Sequence, residues 1–187
     1  MSKPAQLPEW GALAPMPDSE LPLFETALLI ARDEYPELQA GEYLGLVADY
    51  AGRLKKSLRH DLDLPSKLTA INHFLYRELG FSGNELEYAD PRNSYLNQVF
   101  DRKLGIPISL AVVQIEVMRR IGLALDGISF PGHYLVRLPV DDGILVLDPY
   151  NEGRPVGFEE LRERIAPHMD GQMPTDQQLF QVLEPAT

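Results

Sequence analysis

Residues 108–122, ISLAVVQIEVMRRIG, constrain this chain more than any other segment, because Ser109, Gln114 and Glu116 alone interrupt an otherwise apolar run before Arg119 and Arg120. A helix that is apolar on nearly every side is buried on nearly every side, so the rest of the chain must supply layers around it. The run falls short of the ~20 apolar residues that a membrane helix needs, which makes it a core helix. Gly105-Ile106-Pro107 breaks the chain ahead of it and Gly122 ends it, matching the preference for Pro in the first turn and Gly just past the last.

Beyond Gly122 the apolar period shortens. LDGISFPGHYLVRLPV and ILVLDPYN are rich in β-branched and aromatic residues and bounded by Gly, Pro and Asp-Asp-Gly, so they read as a strand pair with a hairpin at Asp141–Gly143. Gly132 is expected to permit a bulge beside His133. Phe158 to Ile165 reads as a short helix, and Asp176–Leu183 as a helical turn in a loop-rich tail.

Upstream of the central helix the spacing is helical. Leu23, Phe24, Ala27, Leu28 and Ala31 predict a helix stopped by Pro36; Leu44, Val47, Ala48, Ala51 and Leu54 predict a second, over 42–58; Pro65 opens a third, which Gly80 ends after Leu79. A fourth helix is expected over 93–104, with Ser94 or Asp90 as its cap. Residues 1–19 carry Pro4, Pro8, Pro15 and Pro17 and read as an extended arm, either anchored by Trp10 or free. The expected organisation is an α+β fold. Its helical N-terminal half and buried central helix pack on a small antiparallel sheet, with the arm at 1–19, one domain at 20–165 and a C-terminal tail at 166–187.

Charge narrows the partners. The chain of 187 residues has a formal charge of −11. Residues 1–50 and 141–187 are each net −7, which leaves +3 for 51–140. An acidic chain lacks the Lys and Arg excess that drives general nucleic-acid binding, so no nucleic acid is expected. No run suits a membrane span and the N-terminus has no secretory pattern, so a cytoplasmic protein is expected. Arg53, Lys55, Lys56, Arg59 and His60 cluster at the end of the second helix, either as an anion or partner patch or as a solvated end complementing the helix dipole.

The absence of cysteine removes disulfides, thiolate metal sites and a thiol nucleophile. His60, His73, His133 and His168 show no metal-ligand spacing, so no metal or cofactor is expected. What remains is an ordered trio: Ser109 near the start of the buried helix, His133 in one strand and Asp148 at the end of the next. An Asp beside a His fixes the imidazole tautomer, the base-and-orienter half of an acyl-transfer triad. Each member also has a structural role available. Ser109 can cap a helix, His133 can be a core histidine held by a carboxylate, and Asp148, before Pro149, can form a turn.

The stretch from Leu86 to Tyr150, with ADPRNSYLNQVFDRKLGIPISLAVV, PGHYLVR and LDPYNEG, resembles the SirB-type, transglutaminase-like family of bacteria. The resemblance implies a papain-like core, with His133 and Asp148 at the family's histidine and aspartate positions. It implies that the cysteine of active relatives falls on Pro107, as the spacing favours, or on Ser109 after a two-residue slip. The cleft around that position would be lined by Asn93, Ser94, Pro107, Gly132 and Tyr134. Members often continue into a tetratricopeptide-type helical array, near whose start this chain stops; an array of that kind would leave an apolar patch exposed near the C-terminus.

These readings favour a non-catalytic domain that binds a protein or peptide partner through the remnant cleft or the basic helix end near Lys55. The alternative is a serine-based amidase, protease or acyltransferase using Ser109, His133 and Asp148. It requires the Ser109 hydroxyl within roughly 2.6–3.2 Å of a His133 nitrogen. A third reading is a structural module that positions the helical array.

Overall fold

The computed structural model describes residues 7–59, 61–169 and 172–186. Residues 1–6 of the expected arm, and His60 of the basic cluster, lie outside the described residues.

The N-terminal segment is tied down by Leu7 and Leu13, which are both buried. One helical turn, α1 (Trp10–Leu13), and a second at Asp18–Glu20 replace the extended course expected there. Trp10 remains 47% exposed, and its indole N–H donates to Asp33 across 3.2 Å. Helices α2 (Leu23–Glu34) and α3 (Ala40–Ser57) follow the apolar spacing, burying Phe24, Leu28 and Ala31 on one and Val47, Ala51 and Leu54 on the other.

Helix α4 (Leu64–Asn72) is capped by Asp63, whose carboxylate accepts the Ser66 N–H at 2.9 Å. It runs on as a π-helix over His73–Glu78, where the Leu79 N–H reaches back five residues to Phe74. Phe74, Leu75 and Tyr76 are buried in succession, which a regular helix of 3.6 residues per turn does not favour at a surface. Strand β1 (Ser82–Gly83) pairs in parallel with β2 (Leu104–Gly105). Between them the helix expected from Asn93 is split. Pro91–Asn93 forms its own turn under an Asp90 cap, and α5 (Leu96–Arg102) starts after Tyr95. The split turns Asn93 fully inward.

Helix α6 (Pro107–Arg120) is the central element, buried at Pro107 and at every position from Ser109 to Met118. Full burial of one of its Leu, Val or Met side chains contributes about 1.5–3 kcal/mol. Tyr76 donates its hydroxyl to the buried Gln114 at 2.9 Å, which explains how α6 tolerates an amide in its apolar run.

Four antiparallel strands follow in the order β3 (Asp126–Phe130), β4 (His133–Val140), β5 (Gly143–Asp148) and β6 (Arg154–Pro155). The first expected strand is thus two strands, folded at Pro131-Gly132. Phe130 pairs directly with His133, and Gly132 takes φ +69 in a two-residue turn instead of forming a bulge. Pro presets the first turn position and Gly supplies the positive φ of the second. The expected hairpin at Asp141–Gly143 joins Val140 to Gly143.

Both faces of the sheet are covered. Val136, Leu138 and Leu147 join the main core with α6, while Ile128, Phe130, Leu135 and Val146 pack with Leu161, Ile165, Leu179 and Leu183 of the C-terminal segment. That segment holds α7 (Phe158–Ile165) and α8 (Asp176–Val182). The architecture is the expected mixture of helices and small sheets. Among the described residues no helix is long and apolar enough to cross a membrane.

Candidate functional site

His133 opens β4 and Asp148 closes β5. The register places both on the sheet face that carries Phe130, Leu135 and Val146, the face covered by α7. His133 Nε2 lies 2.8 Å from Asp148 Oδ1. Asp148 is fully buried, and its second oxygen accepts from the Asn151 side chain at 2.7 Å and from Arg164 of α7 at 3.1 Å. Burial alone would push this carboxyl up; hydrogen bonds from His133 and Asn151, the His133 charge and the Arg164 contact outweigh it and hold the group at about 2.

Arg164 also donates to Glu160 at 2.6 Å, and Glu160 receives Arg154 of β6 at 2.9 Å. The Arg154 and Arg164 hydrogen bonds keep Glu160 at about 2. Asp148 thus sits at one end of a charge chain that fixes the imidazole from behind. Asn151, Arg164, Glu160 and Arg154 carried no site signal in the sequence beyond the i, i+4 spacing of Glu160 and Arg164.

Ser109 is engaged elsewhere. Its hydroxyl donates to the Asn93 carbonyl at 2.6 Å and accepts the Ile106 N–H at 3.0 Å, and the residue is 4% exposed. Gly105 makes this possible: a Cβ there would stand 2.7 Å from the Ser109 oxygen. Among the described residues Ser109 and His133 share no hydrogen bond.

Asn93 is fully buried. Its side chain donates to the Glu87 carbonyl at 2.7 Å and accepts from Asn84 at 3.0 Å, so it moors the loop from Asn84 to Asp90 onto the start of α6. Ser94 is exposed at the end of the Pro91–Asn93 turn. Pro107 is buried as the first residue of α6, where its missing N–H costs nothing. Tyr134 lies on the α6 face, opposite His133, with its ring over Gly127; a Cβ on Gly127 would collide with the Tyr134 hydroxyl.

Tyr150 is the ring beside His133, edge-on at 5.9 Å, and Tyr88 stands edge-on to Tyr150 at 6.1 Å. Gly83 leaves room for the Tyr150 ring, since a Cβ there would fall 2.5 Å from it. Ser82, Glu85, Tyr150, Asn151 and Arg154 border a cavity of about 290 Å³. Tyr88, against Tyr150, is 53% exposed, and Leu86, two residues before it, is 97% exposed. Among the described residues no three His, Asp or Glu side chains converge as metal ligands.

The sequence profile described as the transglutaminase-like superfamily matches residues 41–187. The chain belongs to that superfamily. It is 60% identical over 180 residues to a UPF0162 protein of Xylella fastidiosa strain 9a5c, covering 96% of this chain and 64% of the relative. A UPF0162 protein of Vibrio cholerae is 32% identical over 130 residues, 69% of this chain and 48% of its own. F-box only protein 21 of Mus musculus is 33% identical over 125 residues, 62% of this chain and 20% of its own. The chain therefore spans less than two thirds of the length of these relatives. No solved structure matches it.

His133 and Asp148 are hydrogen-bonded to each other, while the Ser109 hydroxyl at the start of α6 is hydrogen-bonded to backbone groups. His133 Nδ1 has no hydrogen-bond partner among the described residues, so the imidazole can accept or donate one hydrogen bond to a bound group.

Proposed function

We propose that the protein is a non-catalytic member of the SirB-type branch, acting in the bacterial cytoplasm, which holds a protein or peptide partner in the cleft beside His133. The observation that carries this reading is the 2.6 Å hydrogen bond from Ser109 to the Asn93 carbonyl, which withdraws the hydroxyl from His133. No cysteine is present to replace it.

Support for binding comes from the cleft itself. A loop moored by Asn93 presents Tyr88 to solvent against Tyr150, with Leu86 exposed two residues earlier, and tyrosines are enriched at binding hot spots. The His133 Nδ1 adds one directional polar contact. The test has two arms. Purified protein is incubated with amide and ester substrates, and no turnover dependent on both Ser109 and His133 is expected. Partner capture is compared between the wild type and the Leu86→Ser and Tyr150→Ala variants, which are expected to lose it. Turnover abolished by Ser109→Ala and by His133→Ala would sink the proposal in favour of a serine acyl-transfer enzyme.

A further inference from the structure

We propose that the far end of the central helix carries a second site, which binds the phosphate group of a small soluble ligand. Just past the end of α6, Ile121, Gly122 and Leu123 form one wall of a cavity of about 500 Å³, which shares no lining residue with the cavity beside Tyr150. Its other walls come from the end of α3 and from α4: Leu58, Lys55, Arg59 and Lys67. This volume lies within the range of small-molecule pockets and exceeds that of the cavity beside Tyr150.

The lining is one-sided in charge. Among the described residues Lys55, Arg59 and Lys67 line the cavity and no carboxylate does, with Asp61 paired to Arg59 beside it. Arg59 is held by Asp61 through two hydrogen bonds, from Nε at 3.1 Å and from one terminal nitrogen at 2.7 Å, which leaves its other terminal nitrogen for a ligand. Among the described residues neither Lys55 nor Lys67 has an ion-pair partner. The neighbouring basic groups are accounted for differently: Arg53 stacks on Phe74 at 5.0 Å and faces Asp49, and Arg119 and Arg120 share Glu116.

Asp61 offsets the charge of Arg59, which leaves Lys55 and Lys67 as two like charges without an ion-pair partner on one cavity, and a multiply charged anion relieves their repulsion. A phosphate monoester or diphosphate matches it better than a single carboxylate, because it carries up to two or more charges and several acceptor oxygens. Leu58, Ile121 and Leu123 offer an apolar floor for the less polar body of such a ligand. Concavity favours a small molecule over a flat protein surface.

Calorimetric titration of the whole protein with pyrophosphate and with adenosine diphosphate, at constant ionic strength, tests the site. Saturable one-to-one binding is expected. Loss of both lysines in Lys55→Ala/Lys67→Ala should weaken it at least about tenfold, since each charge-assisted contact is worth about that factor. Lys56→Ala, an exposed neighbour outside the cavity, should leave it unchanged. Unchanged melting of the double variant would show that folding is not the cause. The proposal is overturned by absence of saturation at millimolar ligand or by an equal loss in Lys56→Ala. Tighter binding of a glutamate-rich peptide or of phosphatidylglycerol vesicles than of either phosphate would overturn it too.

Discussion

Asp148 receives His133 Nε2 at 2.8 Å while remaining fully buried, so this carboxylate is charged without contact with water. Its folded pKa of about 2 lies below the ordinary carboxylate value, so the contribution to stability is complete above about pH 4 and is lost as pH falls toward 2. The size is roughly 2 kcal/mol. Urea unfolding between pH 5 and pH 2.5 should show a steeper loss in the wild type than in Asp148→Asn. Equal slopes would mean that the pair does not favour the ionised acid.

Replacing Ser109 with Ala removes the acceptor of the Ile106 N–H and the donor to the Asn93 carbonyl, both at the start of α6. Leaving buried backbone groups unpaired costs about 1–3 kcal/mol. Thermal denaturation of Ser109→Ala should register that loss, whereas partner capture at 20 °C, where the variant stays folded, should not change. A stability-neutral Ser109→Ala would remove the structural role assigned to this hydroxyl.

How far the sequence reaches can be seen at particular residues. The central helix, the three helices before it and the His133–Asp148 contact follow from periodicity and strand order, because those signals are local or depend on one hairpin. The turn at Pro131-Gly132 was hidden within an unbroken β-rich run, although the Pro-Gly pair is itself a turn signal. Pairing of β1 with β2 was not legible. Each strand is two residues long, and their partnership depends on Gly83 and Gly105 admitting Tyr150 and Ser109. Likewise Asn93 reads as a polar helix-start residue, and only the folded loop makes it an inward hub.

Gly83 should not tolerate a side chain. A methyl group there meets the Tyr150 ring at 2.5 Å, so the ring must swing away from His133 and Tyr88. Overpacking of this kind costs typically about 1–3 kcal/mol. Gly83→Ala is expected to lower the melting temperature and to weaken partner capture, whereas Gly80→Ala, at a helix end with open space around it, should lower stability alone. Identical capture by Gly83→Ala and wild type would show that the Tyr150 position is not part of the binding surface.

Lys103 offers a test of the core around α5. It follows that helix in the left-handed region at φ 60, and its ammonium lies over the rings of Phe81, Tyr50 and Phe100 at 4.4, 5.2 and 5.5 Å while donating to the Tyr50 hydroxyl at 2.9 Å. A cation held against partly desolvated aromatic faces contributes about 0.5–2 kcal/mol. Lys103→Met keeps the length of the stem and the backbone strain while deleting the charge, so it isolates that contribution. Chemical denaturation should place Lys103→Met about 1–2 kcal/mol below wild type, with little change in the difference on adding salt, because groups shielded from solvent are weakly screened. A strongly salt-dependent difference would instead assign Lys103 to the surface field of the protein.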